Sequence, residues 1–246
     1  MSETLLKARL DALAATGRVV RFWLRDDDAV EPTPALDQLL TLTRRFRVPL
    51  ALAVIPEPTG EALADHLRSQ DHVTVTVHGW SHRSYAPPGE KKRELGLHRP
   101  ASVVLGELKE GLDKLSALHG PRLQPMLVPP WNRIDAALLP ALPDLGYRAL
   151  SVFGREDQRL SLACLNTHVD VMDWHGTRGG RDADVLFAEI AGWLTEGSEP
   201  PGAIGILTHH LVHDAAVWTF LERLFALTSG HPACQWMGVP ELLASP

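Results

Sequence analysis

The sequence predicts an α/β fold, a single distorted (β/α) barrel with about seven parallel strands that occupies residues 1–246 as one catalytic-size domain. Three observations predict it. Seven short apolar runs alternate with helical patterns, the order expected of parallel strands joined by crossover helices. The runs lack a regularly alternating polar face, so they suit a sheet covered on both sides, and seven of them suit closure better than an open one-sided sheet. Finally, 246 residues with 45% hydrophobic content can bury a full core, and a barrel uses all of it.

The elements follow in order. Residues 5–15 read as an amphipathic helix, with leucines and alanines on one stripe ahead of the first strand. Strands are expected at 18–24, 49–55, 73–77, 125–128, 147–152, 168–172 and 203–207. Helices are expected between them at 34–46, 61–69, 101–118, 135–142 and 182–194, and a long one follows at 215–227. Asp214 stands where a cap or first-turn acid is favoured, with His213 beside it. A short tail strand is expected at 235–239. The segment Pro87-Pro88-Gly89-Glu90-Lys91-Lys92-Arg93 is polar and broken by proline, and reads as a surface loop near the strand ends. There is no internal repeat, no low-complexity tract and no linker that marks a second domain.

Composition narrows the function classes. A net charge of −6 argues against nucleic acid or an anionic membrane surface as the main partner. No apolar stretch approaches the roughly 20 residues of a membrane span. The N-terminal residues Met1-Ser2-Glu3-Thr4-Leu5-Leu6-Lys7 carry charges and no uninterrupted apolar core, unlike a secretory signal. Cys164 and Cys234 form no CxxC pattern and suggest no disulfide framework. The expected location is cytoplasmic.

The strand ends carry the chemistry. The run Val19-Val20-Arg21-Phe22-Trp23-Leu24 leads directly into Arg25-Asp26-Asp27-Asp28-Ala29. Three consecutive carboxylates repel one another unless something positive sits among them, and a divalent metal is the usual candidate. Val73-Thr74-Val75-Thr76-Val77 delivers His78-Gly79-Trp80-Ser81-His82, and Ala203-Ile204-Gly205-Ile206-Leu207 delivers Thr208-His209-His210. His78 and His82 stand four apart, so one turn can present both imidazoles on the same side. Gly79 occupies the position of the glutamate in HExxH, which excludes a zincin. One aspartate with two histidines leaves open positions on zinc or a similar ion, as catalytic sites require. Strands that each end in a ligand or acid–base residue place such a site at one end of a barrel.

Five ordered motifs make the chain resemble the polysaccharide deacetylases of the chitooligosaccharide-deacetylase type, the fourth carbohydrate esterase family. The first, a Thr-Phe-Asp-Asp-Gly-like strand end, is matched by Asp27-Asp28-Ala29. That match implies Asp27 as general base and Asp28 as metal ligand; a slip of one residue would make them Asp26 and Asp27. The second, His-Ser/Thr-x-x-His, is matched by His78 to His82 with Gly79 in place of the hydroxyl residue, and implies both histidines as ligands. The third, Arg-x-Pro-aromatic-Gly, is met by Val128-Pro129-Pro130-Trp131-Asn132, with Val128 where the family has the arginine that orients the catalytic aspartate. Arg133 or Arg25 could supply that charge. The fourth is met by Asp170-Val171-Met172-Asp173-Trp174. The fifth, Leu-x-His, is met by Leu207-Thr208-His209, implying His209 as general acid and Leu207 as a wall of the acetyl pocket.

The resemblance implies a metal-dependent hydrolase, with Zn2+ the expected ion, that removes an N-acetyl or O-acetyl group from a sugar or glycan. The partner is then a small molecule or oligosaccharide. Trp80, Trp131 and Trp174 could stack on a sugar ring, and Pro130 and Asp173 join them as candidate groove residues. Two alternatives stand beside it: hydrolysis of other non-peptide carbon–nitrogen bonds on the same scaffold, and a catalytically inert carbohydrate-binding relative, for which the absent third-motif arginine speaks. His210, on an extended segment, points away from His209 and reads as structural. His168 and His175 flank the fourth motif. Trp23, Trp193, Trp218 and Trp236 read as core.

Overall fold

In the computed structural model, which describes residues 1–156, 162–195 and 202–244, the chain winds as α1 (Ser2–Ala15), β1 (Val20–Ala29), α2 (Pro34–Phe46), β2 (Leu50–Val54), α3 (Glu61–Leu67), β3 (Val73–Val77) and α4 (Ala101–His119). It continues with β4 (Leu123–Leu127), α5 (Leu142–Leu145), β5 (Ala149–Leu150), β6 (Ala163–Cys164), β7 (Val169–Asp170) and α6 (Ala183–Trp193). The last elements are β8 (Ile204–Thr208), α7 (Ala215–Thr228), β9 (Cys234–Trp236) and α8 (Val239–Ala244). All strand pairs are parallel, in the order β6-β5-β4-β3-β2-β1-β8-β7, with β9 added beside β1.

The sheet curls back on itself through one extended stretch, residues 163–171. Its first half pairs with β5, Leu165 N–H reaching Leu150 O and Thr167 N–H reaching Val152 O. Its second half pairs with β8, His168 N–H reaching Gly205 O and Val171 N–H reaching Leu207 O. With β6 and β7 counted as one stave, seven strands ring the barrel as expected.

Side-chain alternation divides the core in two. Phe22, Leu24, Leu50, Leu52, Val75, Ile204 and Ile206 face the helices. Trp23, Ala51, Ala53, Met126, Val128, Ala149 and Ala203 fill the barrel. The helices bury matching stripes: α2 buries Leu36, Leu39, Leu40 and Thr43, starts at a Thr33 cap that accepts Leu36 N–H, and stops at Arg47 in the left-handed region. Asp214 caps α7 through Val217 N–H, as expected. Gly205 lies so close to the seam that a Cβ there would meet Asn166 O at 2.6 Å and Trp23 Nε1 at 2.5 Å.

Four expectations need correction. The helix expected at 135–142 is a 3-10 segment, Ala136–Ala141, followed by the single turn of α5, because Pro140 and Pro143 remove backbone donors. The tail strand is shorter and earlier, and α8 takes over at Val239. β6 was not expected at all. The first strand extends through the acidic triplet to Ala29, so the carboxylates belong to the strand itself. No helix among the described residues is long and apolar enough to cross a membrane.

Candidate active site

A regular strand turns consecutive side chains to opposite faces, so two adjacent aspartates cannot normally serve one site. β1 escapes that rule by a bulge: its register against β2 shifts between Asp26 and Ala29, and Asp28 lies at φ 73°. Bulges re-aim side chains in this way. Asp27 and Asp28 both line a cavity of about 530 Å³ at the C-terminal mouth of the barrel. Asp26 is left on the other side, fully buried, where its carboxylate accepts Thr208 Oγ1–H at 2.7 Å and His210 N–H at 2.8 Å and pairs with His210 Nδ1. Burial opposes both charges of that pair, yet mutual attraction holds Asp26 low and His210 high. The alternative in which Asp26 and Asp27 face the site therefore does not match the geometry, and His210 is a buried structural partner.

Asp28, His78 and His82 form a compact donor set whose ligand atoms all lie within 4.8 Å of one another. Asp28 Oδ1 is 3.0 Å from His78 Nε2 and 3.2 Å from His82 Nε2. His78 Nδ1 stands 2.9 Å from the carbonyl of Val128, which orients the ring so that Nε2, facing Asp28, is the nitrogen that would ligate a metal on giving up its proton. Burial raises the Asp28 carboxyl, but the hydrogen bond and charge of His78 and the charge of His82 outweigh it and hold it far below the ordinary carboxylate range. One carboxylate and two oriented imidazoles are a donor set that fits zinc and similar divalent ions.

Arg25 supplies the charge absent at Val128. It is fully buried two residues before Asp27, and its Nε and terminal nitrogen stand 2.9 Å and 3.0 Å from the two Asp27 oxygens. It also donates to Ser151 Oγ and Asn132 Oδ1, each at 2.7 Å. The guanidinium is thus fixed from three sides and holds Asp27 by one hydrogen bond and one close ion-pair contact. Arg133 instead donates to Lys92 O at 3.0 Å on the rim.

A residue the sequence reading missed secures the histidine turn. Glu94 is fully buried and accepts Trp80 N–H at 3.2 Å, Ser81 N–H at 2.7 Å, Ser81 Oγ–H at 3.1 Å and His82 N–H at 3.2 Å. Burial pushes its carboxyl up, against those bonds. Gly79, at φ +61°, is required beneath it: a Cβ would approach Glu94 Oε2 to 2.4 Å and the Pro130 ring to 2.7 Å. Only its place directly after the polar loop hinted at Glu94. Backbone strain collects here as well, since Asp28, His82, Trp131 and Asn132 all have positive φ, a conformation costly for residues with a Cβ.

The opposite wall comes from β7 and the turn after β8. His209 lines the cavity, its ring edge-to-face with Trp174 at 4.7 Å, and its backbone N–H donates to His213 Nε2 at 3.2 Å. Asp170, at the end of β7, accepts Met172 N–H and Trp174 Nε1–H, each at 2.9 Å, and burial raises its carboxyl despite the nearby His209.

Not every expected groove residue reaches the cavity. Of the two aspartates in the fourth motif, Asp170 lines it and Asp173 does not; Asp173 follows the strand and closes an exposed turn by accepting Gly176 N–H at 3.0 Å and Thr177 N–H at 2.8 Å. Trp80 is not among the residues lining the cavity; its backbone N–H donates to Glu94 and its carbonyl accepts Glu57 N–H. Pro130 packs against Gly79. Leu207 is buried inside β8, level with Arg25. Trp131 and Trp174 do line the cavity, Trp131 packed 4.4 Å from the His82 ring.

No protein-family model matches the chain, and no curated protein matches it. Solved structures do. A family 4 carbohydrate esterase from Streptomyces lividans, in complex with acetate, superposes with a TM-score of 0.58 at 17% identity, covering 90% of this chain and 94% of that one. The peptidoglycan deacetylase PdaC of Bacillus subtilis gives 0.58 at 16% identity over 92% and 90%. A peptidoglycan N-acetylglucosamine deacetylase bound to an N-hydroxybenzamide gives 0.61 at 15% identity over 95% and 96%. The chain shares the fold of these deacetylases across nearly its whole length.

Proposed function

We propose that the chain is a metal-dependent hydrolase that removes an N-acetyl or O-acetyl group from a sugar or glycan. The observation that carries this reading is the single cavity wall on which β1 and β3 bring Asp28, His78 and His82 together beside an aspartate gripped by Arg25. The likeness to structures titled as deacetylases supports it. A divalent ion in this donor set, zinc by preference, supplies Lewis-acid polarisation of a carbonyl oxygen and a more acidic water.

The chain's own residues then divide the proton work. Asp27, held by Arg25 and lining the cavity, is the carboxylate that would accept a proton from water. His209, on the neighbouring β8 turn, is placed to donate a proton to the departing amine nitrogen, which leaves poorly as an anion. Trp131 and Trp174 offer flat apolar faces to a ring. The inert alternative rested on the absent third-motif arginine, and Arg25 makes that contact from another strand.

Elemental analysis of the purified protein, with an acetate-release screen over N-acetylated sugars, tests the reading. Near-stoichiometric zinc, lost in both His78→Ala and His82→Ala, together with metal-dependent acetate release, is expected. Full metal retention in the double variant removes the ligand assignment, and metal-dependent release of a product other than acetate moves the activity to another carbon–nitrogen bond.

A further inference from the structure

Several basic side chains of this acidic protein are matched by carboxylates. Arg45 pairs with Glu222, Arg83 with Glu57, Arg99 with Glu107, Lys109 with Asp113, Arg181 with Glu189 and Arg223 with Glu3. Three cations without such a partner gather at the cavity mouth. Lys92, Arg133 and Arg178 line it, and none has a carboxylate within ion-pair distance among the described residues.

They come from three different loops and are tied into the rim. The Arg133 guanidinium donates to the Lys92 carbonyl at 3.0 Å, and the Lys92 ammonium stands 5.9 Å from the centre of the Trp131 ring. Arg178 sits at φ 59° in the turn closed by Asp173, its backbone N–H on Asp173 O at 2.9 Å. The carboxylates on the floor do not answer these charges. Asp27 is taken by Arg25, Asp28 by its two histidines, and Asp170 by Met172 and Trp174.

A chain of net charge −6 repels anions at long range, so unmatched cations gathered at one concave mouth focus a local field of the opposite sign. We propose that the acylated substrate carries an anionic group, a phosphate or a carboxylate, away from the acyl amide, and that Lys92, Arg133 and Arg178 hold it at the rim. The reaction at the floor rests on the deacetylase reading; the anion contact does not.

The test compares the metal-loaded protein acting on N-acetylglucosamine, its 6-phosphate and N-acetylmuramic acid. Each anionic compound is expected to exceed the neutral one in kcat/KM by about tenfold or more, mainly through KM, at low ionic strength. The advantage should shrink as salt rises from about 50 to about 300 mM. It should collapse in Lys92→Ala/Arg133→Ala/Arg178→Ala, with metal content retained. A larger gain for the phosphate than for the carboxylate identifies a phosphate site, and equal gains identify a general anion site.

A preference that survives the triple variant, as when a phosphate meets the metal directly, overturns the rim assignment. Equal kcat/KM for neutral and anionic compounds overturns it as well, and leaves the deacetylase reading intact. Calorimetric titration with glucose, glucose 6-phosphate and glucuronate reads the contact without any acyl group. Rim-dependent preference for the anions there, with no acetate released from any compound, sustains the anion site and refutes the reaction. No preference in either assay refutes the anion site.

Discussion

Replacing Arg25 by methionine is the sharpest test of how this site is built. The guanidinium has no solvent exposure and stands 2.9 Å and 3.0 Å from the two oxygens of Asp27. At 2.9 Å, an effective dielectric of about 20 gives roughly 6 kcal/mol of attraction before desolvation is counted. Desolvating two ions offsets several kcal/mol of that, so the pair adds little net stability while intact. Breaking it from one side is different. Arg25→Met leaves the Asp27 charge buried without a partner and strands the oxygens of Ser151 and Asn132, a loss of about 3–5 kcal/mol. Arg25→Met/Asp27→Asn removes both charges and should recover about 2 kcal/mol relative to the sum of the single losses. Urea unfolding of the four proteins measures the cycle, and Arg25→Lys, which keeps a charge but not the two-pronged geometry, replaces the methionine variant if that fails to fold. Additivity of the two substitutions within about 0.5 kcal/mol would refute the coupling on which Asp27's orientation depends.

Asp27→Asn should keep the metal and lose roughly 100- to 10,000-fold in kcat, whereas Asp28→Asn should lose metal affinity first; metal titration and turnover on both variants separate them, and the reverse pattern transfers the roles. His209→Ala should damage hydrolysis of an N-acetyl amide far more than that of an activated aryl acetate, because an acid that assists the leaving group matters less as that group improves. Equal losses on the two substrates would make His209 a binding residue. Glu94→Gln should weaken metal binding by about 10- to 100-fold, since an amide nitrogen would face the backbone donors of the histidine turn; competition against a chromogenic chelator reads it, and unchanged affinity would leave Glu94 with a purely structural part. His119, buried at the far end of the barrel, is pushed down to about 4 by burial and by Arg122. Its unfolded form binds the extra proton between about pH 4 and 6.5, so stability is lost as pH falls through that window. His119→Gln should flatten the fall by about 1–2 kcal/mol; parallel stability–pH curves for the two proteins would refute this.

The parts of the fold written in local patterns were legible in the sequence. Apolar runs at 73–77 and 203–207 and the stripe over 34–46 reappear within a residue or so of β3, β8 and α2. What escaped depends on contacts between distant segments. β6 is only two residues long and exists because residues 163–164 meet β5, which no local periodicity announces. The histidine pair and Asp28 could be found because their spacing is short-range. The hydrogen bonds of Glu94 and the inward reach of Asp170 could not, since each depends on where a loop or strand end comes to rest. The motif naming Asp170 to Trp174 offered two aspartates, and the exposed turn after β7 decided between them. Arg25 was visible as a charge beside the triplet, but only the inward face of β1 shows it gripping Asp27.

The stretch 163–171 joins β5 to β8 by borrowing a few hydrogen bonds from each, and so makes the barrel a cylinder with a zip. The block β1–β2–β3–β4 carries longer ladders, together with Asp27, Asp28 and His78. Asp170 ends the zip and Trp174 hangs just beyond it. The flank that carries Asp170 and Trp174 is therefore tied by fewer ladder hydrogen bonds than the flank that carries Asp27, Asp28 and His78. A change in that shorter ladder would shift Trp174 against His209 while the donor set on β1 and β3 stays assembled.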